Sequence, residues 1–104
     1  MVKSKNMTAG LAPVHPGALL REDILPAMHT SKVEIARALG ISRAQLYAIL
    51  GERAPVTAPM ALRLGRLFGN GPELWLNMQS NYDLEILART MAREIARIPT
   101  MKAA

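Results

Sequence analysis

From Pro16 onward, apolar residues recur every three or four positions, in runs separated by Pro, Gly and Ser. Pro16 sits where a helix can begin, because its missing N–H would be unpaired there in any case. Leu19, Leu20, Ile24 and Leu25 give the first helix one apolar face, with Arg21, Glu22 and Asp23 opposite. Pro26 is expected to stop or bend this helix. Ser31 caps a second helix over Lys32 to Leu39, and Glu34 would complete a capping box. Val33, Ile35, Ala36 and Leu39 are expected to face inward, and Gly40 supplies the left-handed residue at the end. Ser42 caps a third helix over Arg43 to Leu50, with Gln45 as its reciprocal partner and Leu46, Ile49 and Leu50 buried.

The segment from Gly51 to Val56 reads as a loop. Thr57 caps a fourth helix, with Pro59 tolerated in its first turn. Met60, Ala61, Leu64, Leu67 and Phe68 form its core side, while Arg63 and Arg66 point away. Gly65 within it costs about 1 kcal/mol against Ala, which suggests a close helix contact. Gly69 to Gly71 break the chain, and Pro72 opens a long fifth helix to about Ile98, ended by Pro99. Residues 1–14 show no helical period and read as a flexible arm; residues 99–104 read as a tail. With no alternating run long enough for a strand, the expectation is one all-α domain of five helices over residues 15–98.

Composition narrows the class. The chain has 104 residues, enough for one modest core, and it is 50% hydrophobic and 20% charged, unlike a disordered chain. Its four aromatics are Tyr47, Phe68, Trp75 and Tyr82, so the core must be mainly Leu, Ile, Ala and Met. There is no cysteine, which excludes disulfides and thiolate metal sites. No apolar run approaches the roughly 20 residues that span a bilayer, and no continuous apolar stretch follows the two lysines of the N-terminal arm. The expectation is a soluble, cytoplasmic protein with no membrane partner. The net charge of +5 is compatible with a polyanionic partner.

The stretch from Lys32 to Gly51 has the spacing of a helix-turn-helix, a unit that places its second helix in the major groove of DNA. Such a unit needs a small residue where its helices touch, here Ala36, and a turn residue without a β-carbon, here Gly40. Apolar residues must hold the crossing, here Ile35, Leu39, Ile41, Leu46 and Ile49. With Leu46 and Ile49 buried, the opposite face of the third helix carries Arg43, Ala44, Tyr47 and Ala48. Arg43 lies near the start, where base edges are closest, and an arginine–guanine pair gives about 1–3 kcal/mol of discrimination. Ala44 or Ala48 suits a thymine methyl. Ser42 and Gln45 reach a base or a phosphate, and Gln45 is equally suited to capping. Tyr47 is directed to the DNA backbone. Lys32, beside free helix N–H groups, and Arg53 are phosphate candidates. The bland alternative for each of these residues is simple solvent exposure.

Four blocks extend the pattern: HPGALLREDIL (His15 to Leu25), IARALGISRAQLYAIL (Ile35 to Leu50), TAPMALRLGRLFG (Thr57 to Gly69) and PELWLNMQSNYDL (Pro72 to Leu84). Over this region, about two thirds of the chain, the sequence resembles the HigA-type antitoxins within the XRE group of helix-turn-helix repressors. The first and last blocks are more specific than the helix-turn-helix itself. The resemblance implies a lambda-repressor-like DNA-binding domain with a long C-terminal helix. It implies a homodimer on a palindromic operator in its own promoter, and neutralisation of a RelE-like, mRNA-cleaving toxin of the HigB type, with the complex as co-repressor. Two departures stand out. The family usually carries an Asn-Gly-Lys-Arg-like turn after the third helix, where this chain has Gly51-Glu52-Arg53-Ala54. One basic residue is lost and an acid gained beside the expected phosphates, which predicts weaker or more salt-sensitive DNA binding. Gly65 stands where the family commonly has Ala.

Other residues add less. His15 and His29 lie at opposite ends of one helix with no third ligand nearby, so neither a metal nor another cofactor is expected. Trp75 and Tyr82 lie seven positions apart on the fifth helix with Met78 between them, and read as packing against the core or a second copy. Leu84, Leu87, Met91, Ile95 and Ile98 continue an apolar stripe beyond what the short helices can cover, pointing to a partner. Arg89, Arg93 and Arg97 read as a solvated row. No nucleophile–base pair, carboxylate pair or phosphate loop is legible, so an enzyme is not expected. A regulator of the same fold without a toxin remains open, as does an interaction module using the fold as scaffold.

Overall fold

The first helix does not stop at Pro26. In the computed structural model, which describes residues 13–103, α1 (Pro16–Leu19) runs into a π-helical turn (Leu20–Ile24) and then into α2 (Leu25–Met28). The wide turn, in which the Leu25 N–H bonds the Leu20 carbonyl, takes up the register change before the proline that has no N–H to give. The helix ends instead at His29, which is left-handed with φ 55°. Apart from Pro13 and Val14, the expected arm lies outside the described residues.

Beyond this helix come α3 (Lys32–Leu39), α4 (Arg43–Leu50), α5 (Ala58–Phe68), α6 (Pro72–Thr90) and α7 (Ala92–Ala96). The described residues contain no strand, and the domain is all-α. The long helix expected to reach Ile98 is broken at Met91 (φ −104°, ψ 14°). There the Thr90 hydroxyl donates to the Leu87 carbonyl, which already accepts the Met91 N–H, so side chain and backbone compete at one acceptor. The end of α7 tightens through bonds from Arg97 to Glu94 and from Ile98 to Ile95, short of Pro99.

The core gathers Leu20, Leu25, Ile35, Ala36, Leu39, Leu46, Ile49, Leu50, Val56, Met60, Ala61 and Leu64 around Trp75, whose side chain is fully buried. The Trp75 indole N–H donates to Asn70 Oδ1 at 2.9 Å, which removes the one polar liability of burying it. Val33 was expected inside but is exposed. It lies two positions before Ile35, about 200° around the helix, so the face fixed by Ile35, Ala36 and Leu39 turns it outward. Gly65 makes the close contact its position suggested: a β-carbon there would lie 2.6 Å from the Pro72 nitrogen. Arg63, expected to point away, donates to the Leu39 carbonyl at 2.6 Å and ties α5 to the end of α3.

Candidate nucleic-acid interface

The turn between α3 and α4 is built as the sequence requires. The Ser31 hydroxyl accepts from the Glu34 N–H at 3.2 Å, opening α3. The Glu34 carboxylate lies 3.8 Å from Arg37 and not on the Ser31 N–H, so only one arm of that capping box forms. Gly40 closes α3 with φ 76°. A β-carbon there would come within 2.7 Å of Arg63 Nη1, the movable tip of a long side chain, so it is the backbone angle that calls for glycine. At α4 both arms form: Ser42 Oγ accepts from the Gln45 N–H at 3.0 Å, and Gln45 Oε1 accepts from the Ser42 N–H at 3.3 Å. Such a cap contributes about 1 kcal/mol and pins the N-terminal end of the helix. The capping role left open for Gln45 is therefore occupied in the free protein.

Of the residues read as DNA-facing, Ser42, Arg43, Ala44, Gln45 and Tyr47 are exposed on α4, and Ala48 is half-buried. Arg43 makes no hydrogen bond or ion pair among the described residues. Lys32 is exposed in the first turn of α3. Arg53 is exposed but folds back, its Nη2 donating to the Tyr47 carbonyl at 3.4 Å. The structure thus gathers seven of the eight on or beside α4, while Lys32 sits at the start of the preceding helix.

Four residues outside this set hold it in place. His15 caps α1, its Nδ1 accepting from the Gly17 N–H at 2.9 Å, and its ring meets Tyr82 edge-on with centroids 5.0 Å apart. Burial holds its imidazole below the ordinary pKa, and the nearby Glu52 and Asp83 only partly offset this. A β-carbon on Gly17 would collide with the Ile49 carbonyl, so α1 and α4 can approach this closely only with glycine there. Gln79 is buried and spans two segments: its Oε1 accepts from the Val56 N–H at 2.8 Å, and its Nε2 donates to Asp83 at 3.0 Å. Arg21 reaches from the π-helical turn to the end of α4, donating to the Leu50 carbonyl at 2.6 Å and to Glu52 at 3.2 Å. Its hydrogen bonds to Glu22 and Glu52 raise its pKa further above the ordinary value. The sequence pattern had placed Arg21 on the solvent face, because partners some thirty positions away leave no local signal.

Among the described residues no cluster of metal-ligating side chains occurs, and no helix is long and apolar enough to cross a membrane. What the geometry defines is a helix-turn-helix DNA-binding protein with a pinned, outward-facing second helix. No family model matches the chain. It is 44% identical over 73 residues to virulence-associated protein I of Dichelobacter nodosus, covering 70% of this chain and 68% of that protein. It is 35% identical over 72 residues to antitoxin HigA-1 of Vibrio cholerae, covering 69% and 68%. The solved structure of antitoxin GraA in complex with its operator superposes with a TM-score of 0.82 at 38% identity, covering 93% of this chain and 99% of that one. The chain belongs to the HigA-type antitoxins, within the XRE group of helix-turn-helix regulators.

Proposed function

We propose that this chain is a sequence-specific, autoregulating antitoxin. It binds a palindromic operator as a homodimer, one α4 per half-site, and neutralises a RelE-like, mRNA-cleaving toxin of the HigB type. The observation that carries the DNA reading is Arg43 on the exposed face of a helix whose N-terminal cap is complete on both arms. Arg43 reads a guanine edge, Ala44 and Ala48 pack on thymine methyls, and Ser42 and Gln45 sit at the groove margin. Lys32, Tyr47 and Arg53 meet the phosphates. Family membership supports the toxin, and the operator complex of antitoxin GraA supports the mode of DNA binding. The homodimer is supported by Leu84, Leu87, Met91, Ile95 and Ile98, apolar side chains left exposed on α6, α7 and just beyond.

The test is titration of the chain's own promoter fragment at two salt concentrations, with random DNA as reference. Specific binding that falls steeply with salt is expected, the slope reporting the phosphates neutralised. Binding no tighter than to random DNA would sink the DNA reading. Where a toxin-like gene adjoins this one, co-expression with its product is expected to restore growth and to raise the solution mass by one or two partner subunits. If growth is not restored, the regulator without a toxin is the correct reading.

A further inference from the structure

We propose that Arg21 is a positioning residue of the DNA interface: it closes the C-terminal end of the recognition helix and holds the Glu52 carboxylate off the phosphates. The proposal rests on the DNA-binding reading above.

It begins with the last carbonyls of α4, which a helix end leaves without intrahelical partners. The Tyr47 carbonyl accepts from the Gly51 N–H at 2.8 Å and from Arg53 Nη2. The Ala48 carbonyl accepts from the Arg53 and Ala54 N–H groups, and the Ile49 carbonyl from the Glu52 N–H. For the Leu50 carbonyl, the donor is Arg21, at 2.6 Å. Three of these four carbonyls are closed by the loop itself, so among the described residues the one tie from outside the segment is the arginine of the π-helical turn.

Glu52 adds the second half. It is left-handed, with φ 61°, a conformation that L residues other than Asn and Asp seldom adopt. Its carboxylate lies 3.2 Å from Arg21, and the same guanidinium lies 2.7 Å from Glu22. Arg21 therefore stands between two carboxylates. Without it, two negative charges would stand beside the loop after α4, where phosphates are expected, with Arg53 the neighbouring cation in the loop. As surface ion pairs these contacts contribute little to folding. Beside DNA, which carries one charge per roughly 1.7 Å of helix axis, a freed carboxylate matters far more. This reverses the meaning of the departure at Glu52. The acid does not simply weaken the interface; it is bound internally and helps to set the loop.

The experiment is a double-mutant cycle on operator binding with Arg21→Gln and Glu52→Gln. Glutamine at position 21 has no charge, and its amide falls two bonds short of the guanidinium nitrogen that reaches the Leu50 carbonyl. Arg21→Gln is expected to weaken operator binding about fivefold at moderate salt, and Arg21→Lys to recover much of the loss. Glu52→Gln is expected to leave the parent unchanged or weaker, yet to strengthen the Arg21→Gln variant. That dependence on the background is the signature of a latch between Arg21 and Glu52. Equal strengthening by Glu52→Gln in both backgrounds would mean that the acid only repels DNA and would overturn the proposal. So would an Arg21→Gln variant that binds like the parent, or one that Glu52→Gln fails to improve, which would make Arg21 a direct phosphate contact. A second arm needs no DNA. Amide exchange at Glu52, Arg53 and Ala54 in the free protein is expected to quicken severalfold in Arg21→Gln, and unchanged exchange means no latch. If the parent itself fails to bind operator, the DNA reading falls, while the exchange arm still decides the latch.

Discussion

Leu46 and Leu84 are the same residue on the same kind of helix, yet one is 1% exposed and the other 68%. The difference separates the two halves of the molecule. In the first, α1 to α5 and the start of α6 are short or crossed, and each lays its apolar stripe against Trp75 or a neighbour. In the second, α6 continues past Tyr82, its last contact with the cap of α1, and α7 follows with no buried residue. At 19 residues, α6 is about 28 Å long, more than the cluster can cover. The Cα radius of gyration is 16.5 Å, against about 12–13 Å for a compact chain of this size. Apolar periodicity names the face a helix wants to bury; whether anything covers that face depends on where the other helices end.

The sharpest test of this contrast is at its centre. Trp75→Ala removes the side chain around which the first half closes and is expected to cost about 3–5 kcal/mol. With a total stability of about 5–15 kcal/mol, that brings the fold near failure, read as a large fall in the urea midpoint. A loss under about 1 kcal/mol would mean the core is not organised around this ring.

The opposite change belongs to the second half. Replacing Leu87 and Ile95 together by Asp is expected to leave the helical signal intact while halving the solution mass. The Tm would become independent of protein concentration. Operator affinity would fall about a hundredfold, because each half-site is then bound alone. An unchanged mass would show that the exposed stripe is not the seam between copies.

Within the first half, Arg43→Ala asks whether recognition is separable from assembly. It is expected to cost about 1–3 kcal/mol at one base pair per half-site, leaving mass and Tm as in the parent. Equal discrimination across a panel of operator variants would remove Arg43 from the reading face.

The smallest effect concerns the His15–Tyr82 contact, which joins the halves near the middle of α6. Burial lowers the folded-state pKa of His15 from its ordinary value of 6.5, so the unfolded chain takes up this proton at a higher pH than the folded one. Its contribution to stability is complete above 6.5 and is lost as pH falls towards the folded value. Protonation at Nδ1 would also remove the acceptor for the Gly17 N–H. A fall in Tm of about 2–4 °C between pH 7.5 and 5.5 is expected. His15→Asn, which keeps an acceptor for the cap, flattens that slope, and a slope unchanged in this variant would assign it to other groups.

By itself the sequence determined what short-range physics decides. Ser31, Ser42 and Thr57 mark helix starts, Gly40 and Gly69 mark ends, and all of these stand where the structure has them. The helix-turn-helix was legible because its constraints lie within twenty residues. Four of the eight candidate contacts, Arg43, Ala44, Tyr47 and Ala48, could be named because one buried face fixes its opposite on a helix. Tertiary structure decided what depends on partners distant in the chain or on small local balances. Pro26 was absorbed by a π-helical turn, and Met91 broke a helix whose apolar pattern ran straight through it. Val56 and Gln79 met across 23 positions, and Arg21 crossed to Leu50 and Glu52. The reason is that a side chain's neighbours along the chain set its conformational preferences, while the carbonyl or carboxylate it finally meets is chosen by the packing of the whole domain.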